Sequence, residues 1–160
     1  MELAKEIYKD GLHPLVEALD FDRLKWKISE SEEAKMTKNE CELAEREYRR
    51  YLTLKKLYPK VELVPNKQLD EFWHAHILDT VAYHKDCDSV FGYYLHHFPY
   101  FGIYGEDDYQ NLVSAFEKTK ELYELHFGKY PEQLENAARC EDHPCHAPSS
   151  CACRAPGTCK

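Results

Sequence analysis

The chain has 160 residues, 43% hydrophobic and 13% aromatic, enough to bury one core in a single domain. A net charge of −8 argues against a nucleic-acid backbone as partner, because phosphate binding needs a basic surface. No run approaches the roughly 20 apolar residues of a membrane span, and the opening MELAKEIYKDG lacks the apolar stretch of a secretory signal, so a cytoplasmic protein with mostly reduced thiols is expected.

Leu12, Leu15, Val16 and Leu19 recur at helical spacing and predict a short amphipathic helix. Residues 21–28 continue it or begin a second, with Leu24 and Ile28 on one stripe. The acidic SESEE run at 29–33 reads as a loop or a solvated helix start. Thr37 then caps a long helix that reaches about Tyr58 and is stopped by Pro59, with Cys41, Ala44, Tyr48 and Tyr51/Leu52 facing inward.

Asn66 caps the next helix, and Asp79 or Thr80 reads as a fresh cap, which divides this region into helices at 67–78 and 80–91. Gly92 closes the second as a left-handed terminal residue. Residues 92–105 form an ordered aromatic loop. Asp107 or Asp108 caps a last long helix to about Phe127, with Leu112, Phe116, Thr119 and Tyr123 inward, and a short helix follows Pro131. Only Val61–Val64 alternates as a strand would. The expected architecture is all-α: a compact bundle of about five helices over residues 1–138, with a long aromatic loop and a disordered, flexible Cys/His-rich tail at 139–160.

Five of the nine histidines (His74, His76, His84, His96 and His97) fall within residues 70–102, interleaved with aromatics and aspartates. Imidazole is the commonest protein ligand for transition metals and titrates nearest neutral pH, so the segment points to metal or proton chemistry. Spacing restricts which side chains cooperate. His74 and His76 lie about 200° apart on a helix, whereas Asp70 and His74 share a face. One constellation joins His74 and either His96 or His97, with Asp70 as a ligand or as the carboxylate that orients an imidazole. A second joins His76, His84 and Cys87 and requires collinear helices across Asp79. The first is preferred because it survives a break there. Mixed N/O ligands suit zinc, iron or copper without choosing among them. Each histidine can equally be a core residue bonded to a carbonyl or carboxylate. Glu106–Asp108 and the many tyrosines have bland readings of their own, as helix-dipole partners and core packing.

The segment WHAHILDTVAYHKDC with the following HHFPYFG resembles the glycine-rich domain-containing protein-like family over residues 63–102, with a weaker likeness to about Gly128. Trp73, His74, His76, Asp79, Tyr83, Asp86, Cys87 and Gly92 fall on the motif. The chain carries one motif copy and only six glycines, with no glycine-rich domain and no RNA-binding module. The resemblance implies that the histidine segment is a unit and implies no particular activity.

The terminal CEDHPCHAPSSCACRAPGTCK holds five of the seven cysteines and lacks apolar periodicity. Cys151 and Cys153 stand within chelating reach of one another, and Cys140, His143, Cys145, His146 and Cys159 could complete a soft-metal site. The alternatives are a redox element, an extension without function, or a peptide presented to a partner protein or modifying enzyme. The leading expectation is a transition-metal-binding helical protein. A metal-dependent enzyme, hydrolytic or oxygen-activating with His76 or His84 as acid/base, is the second. A scaffold presenting its tail is the third.

Overall fold

The computed structural model describes residues 11–134, and the tail readings at 139–160 lie outside them. Among the described residues six α-helices run in the order α1 (Pro14–Glu17), α2 (Asp22–Ser29), α3 (Lys38–Leu57), α4 (Lys67–Leu78), α5 (Thr80–Phe91) and α6 (Glu106–Phe127), followed by a 3-10 turn at Glu132–Leu134. No β-strand occurs among the described residues, and Val61–Val64 instead sends Leu63 and Val64 into the core. No helix among the described residues is long and apolar enough to cross a membrane.

α3 is the central element. The Thr37 hydroxyl accepts from the Glu40 amide while the Glu40 carboxylate accepts from the Thr37 amide, a reciprocal cap that fixes the helix start. Its inward stripe is buried as expected, from Cys41 and Ala44 through Tyr48 to Tyr51 and Leu52. The opposite flank holds Arg49, whose guanidinium donates to the carbonyls of Val16 and Leu19 at 2.8 Å each and lies 4.5 Å from the centre of the Phe21 ring. That contact adds a charged donor to carbonyls at and just beyond the end of α1 and ties this stretch and Phe21 to α3.

The first helix is shorter than its periodicity predicts. The His13 ring accepts from the Leu15 amide at 3.1 Å and Pro14 takes the first helical position, so the helix starts after Leu12. Val16 and Leu19 are buried, whereas Leu15 is exposed. The last helix also departs from expectation. It begins at Glu106 behind Gly105, and Asp108 does not cap it. The Asp108 carboxylate accepts from the amides of Gly102 and Tyr104 at 2.8 and 3.1 Å and so ties the aromatic loop to α6. Leu112, Phe116, Thr119 and Tyr123 face inward as read from the sequence.

Candidate metal centre

α4 carries two of the candidate donors. The Asn66 side-chain oxygen accepts from the Leu69 amide at 2.9 Å and starts the helix one turn before Asp70. Asp70 and His74 then stand on one face, four residues apart, and the His74 Nε2 lies 3.1 Å from the Asp70 Oδ2.

The third donor returns from the loop. At Asp79 the chain leaves helical geometry (ψ 72°), and α5 starts in a new direction and ends on Gly92 at φ 75°. The Tyr83 hydroxyl donates to the Leu95 carbonyl and accepts from the Trp73 indole N–H at 3.0 Å. Burial pushes this hydroxyl far above its ordinary pKa, so it keeps the proton that holds Leu95. The clamp leaves His97 against the Trp73 ring, with centroids 4.4 Å apart, and places its Nε2 2.6 Å from the Asp70 Oδ1 and 3.1 Å from the His74 Nε2.

One nitrogen each from His74 and His97 and one oxygen from Asp70 all lie within 4.8 Å of one another. Tetrahedral bonds of ~2.1 Å would set donors about 3.4 Å apart, so the two 3.1 Å contacts would open by about 0.3 Å and the 2.6 Å contact by about 0.8 Å. Burial raises the Asp70 pKa, yet hydrogen bonds from His74 and His97 and their charge outweigh it, and the carboxyl is held below its usual value. A ready anion therefore faces two imidazole nitrogens, the donor set of mixed N/O zinc and non-haem iron sites. Asp70 and His97 are 8% exposed at the side chain while His74 is 53% exposed, so the cluster is covered on one side and open on the other. A groove of about 480 Å³ lies on that open side, lined by His74, Ile77, Leu78, Tyr94, His96 and His97.

The structure separates the remaining candidates from this cluster. His76 is buried, with Nδ1 2.7 Å from the Tyr48 hydroxyl and Nε2 2.8 Å from the Asp86 Oδ2. His84 is exposed, its ring 6.2 Å from that of Tyr94, and His96 is exposed against the same tyrosine at 4.9 Å. Cys87 is a buried free thiol whose pKa is pushed up by burial, a poor precursor for a ligand thiolate. The collinear helices needed to join His76, His84 and Cys87 are broken at Asp79. Sequence spacing missed the Tyr48–His76–Asp86 contact, which joins three helices, and the Trp73–Tyr83–Leu95 clamp. The aromatic residues of the histidine segment were their only signal.

No curated protein and no solved structure matches the chain. A family model described as UCP032817-like matches residues 14–117, which include all three donors and the helices and loop that carry them. That description says nothing of a glycine-rich domain. The match covers more than half of the sequence, and the chain belongs to the UCP032817-like family.

Proposed function

We propose that this protein binds one transition-metal ion through Asp70, His74 and His97 and leaves an open coordination position toward the groove beside His96. The convergence of the three donor atoms, from helix and loop, at 2.6–3.1 Å carries this reading. Zinc and iron fit the N/O donor set, and copper is the third candidate. Asp70 supplies the charge, His97 is held against the tilted Trp73 ring, and exposed His74 can swing to close the site. The adjoining groove favours metal-assisted hydrolysis or oxygen activation as a second reading, since an ion there would have both an open position and space for a substrate.

The tail cysteines and histidines form a separate soft-metal or redox element in this reading, or a segment presented to a partner. The resemblance of the Trp73–Gly92 segment to the glycine-rich domain-containing protein-like family belongs here too, as does a cytoplasmic setting.

Elemental analysis of the natively purified protein, full length and cut after Ala138, tests the reading with His74→Ala and His97→Ala alongside. Near-stoichiometric metal in the shortened protein and its loss in both variants is the expected result. Metal confined to the full-length form would move the site to the tail. No metal in either would leave the three side chains as a hydrogen-bonded packing cluster and favour the scaffold.

A further inference from the structure

Three grooves among the described residues meet the candidate cluster, and they meet it differently. The largest, between α2 and α4, reaches it at His74 alone, and a small one beneath the aromatic loop reaches it at His97 alone. The groove of about 480 Å³ beside His96 is lined by both donors. A ligand that completes the coordination of an ion held there therefore enters from this side. The volume falls within the range of small-molecule sites.

α4 builds one wall. Ile77 and Leu78 follow His74 by three and four residues and share its face, and Leu78 is 80% exposed. The loop builds the other. Tyr94 stands edge-on to Tyr83 at 5.2 Å and tilted against His96 at 4.9 Å, contacts that brace its ring on this wall. No Asp, Glu, Lys or Arg is among the described residues that line the groove. Two carboxylates of the same stretch turn elsewhere: Glu71 lines the α2–α4 groove, and Asp79 pairs with Arg23 at 3.4 Å. A divalent ion on the Asp70 carboxylate and two neutral imidazoles keeps one net positive charge, the sole fixed charge facing an apolar and aromatic cleft. One anionic group neutralises it. A second anion on the same ligand would lie against Ile77, Leu78 and Tyr94 with no cation to meet it.

We propose that the groove between α4 and the loop binds a small monocarboxylic acid, its carboxylate on the ion held by His74 and His97 and its apolar body along Ile77, Leu78 and Tyr94. This deepens the metal-binding reading and rests on it. A dicarboxylate of the same length carries one charge too many for the cleft, and an amine meets the ion with the wrong sign.

Calorimetric titration with hexanoate, adipate and hexylamine tests it on full-length protein with and without zinc, after zinc content is measured in the native protein and in His97→Ala. Hexanoate should bind the zinc-loaded protein about ten-fold more tightly than the zinc-free protein, a gain that His97→Ala abolishes. Adipate should bind the zinc-loaded protein roughly three- to ten-fold more weakly than hexanoate, and hexylamine should gain nothing from zinc. Leu78→Lys sets a cation on the wall at an exposed position, so zinc content should be unchanged and the preference should turn to adipate. Zinc bound with hexanoate indifferent to it, adipate as tight as hexanoate in the native protein, or a Leu78→Lys protein that still prefers hexanoate overturns the proposal while the metal site stands. Absence of zinc attributable to His97 overturns both.

Discussion

Replacing Tyr48 with phenylalanine isolates the buried contact that His76 makes on the far side of α4. Tyr48 has no exposed surface, and its ring packs 5.7 Å from Phe21 and 5.3 Å from Phe72, contacts that phenylalanine keeps. The hydroxyl lies 2.7 Å from His76 Nδ1, and burial raises its pKa well above the ordinary value, so it donates to Nδ1 and leaves the Nε2–H of His76 for Asp86 at 2.8 Å. Tyr48→Phe strands Nδ1 in a dry interior, which costs about 1–3 kcal/mol. His76→Leu strands the Tyr48 hydroxyl in the same interior and frees Asp86, whose side chain is 21% exposed and regains water, so roughly 2–4 kcal/mol is expected. With both replaced, neither polar atom is orphaned, and the pair should cost less than the sum by about 1–2 kcal/mol. Urea titration of the four forms reads the cycle, and metal content should be unchanged in all of them. An additive cycle, or a Tyr48→Phe change within ~0.5 kcal/mol, would refute this account of the buried contact.

Three further outcomes follow from named contacts. Although burial alone would raise it, the Asp70 pKa is lowered by the bonds from His74 and His97, so its contribution to stability is complete above the ordinary value of about 3.9 and is lost as pH falls through the lower folded value. Native and Asp70→Asn proteins should therefore differ most near neutrality and converge in acid, and a gap in urea midpoint that persists unchanged into strong acid would contradict this. Gly102 has φ 89°, and a β-carbon there would meet the Leu112 Cδ2 at 2.6 Å, so Gly102→Ala should cost about 1–3 kcal/mol and expose the aromatic loop to limited proteolysis, whereas native-like resistance would count against the packing of loop on α6. Zinc at 100 times its Kd should stabilise the native protein by about 2.7 kcal/mol in thermal melts and a chelator should reverse it. Equal stabilisation of His97→Ala would place the ion elsewhere.

Signals confined to one turn of chain were legible in the sequence. Thr37, Asn66, Asp79 and Gly92 mark helix ends through groups within a few residues, and the structure uses each as an end. Asp70 and His74 were legible as a pair for the same reason. Asp108 shows where such signals fail: its carboxylate had two possible claims, the start of α6 or the loop amides of Gly102 and Tyr104, and tertiary packing awards it to the loop. The choice between His96 and His97 depended on which side chain the returning loop turns inward. That choice is made by Tyr83 holding the Leu95 carbonyl and by the Trp73 ring, at separations no periodicity reports. The partners of His76 lie 28 residues before it and 10 after it, across two helix ends, and were hidden likewise.

α4 therefore works on two faces at once. One face packs Phe72 and His76 into the core, and another carries Asp70 and His74 toward the loop. What remains adjustable is the loop, and Tyr83 governs it without touching a donor. Tyr83→Phe removes the donation to Leu95 and the acceptor of the Trp73 indole while preserving the ring, so the loop should loosen and His97 should lose its fixed place over Trp73. Interactions that orient a ligand from behind are typically worth 10–100-fold in metal affinity, and about ten-fold weaker zinc binding is expected at unchanged stoichiometry. Thermal melts without metal separate this from general destabilisation: Phe72→Leu disturbs the same core without releasing the loop, and at matched stability it should retain more zinc affinity than Tyr83→Phe. Equal losses in the two variants would mean that affinity follows global stability, and that the clamp has no orienting role.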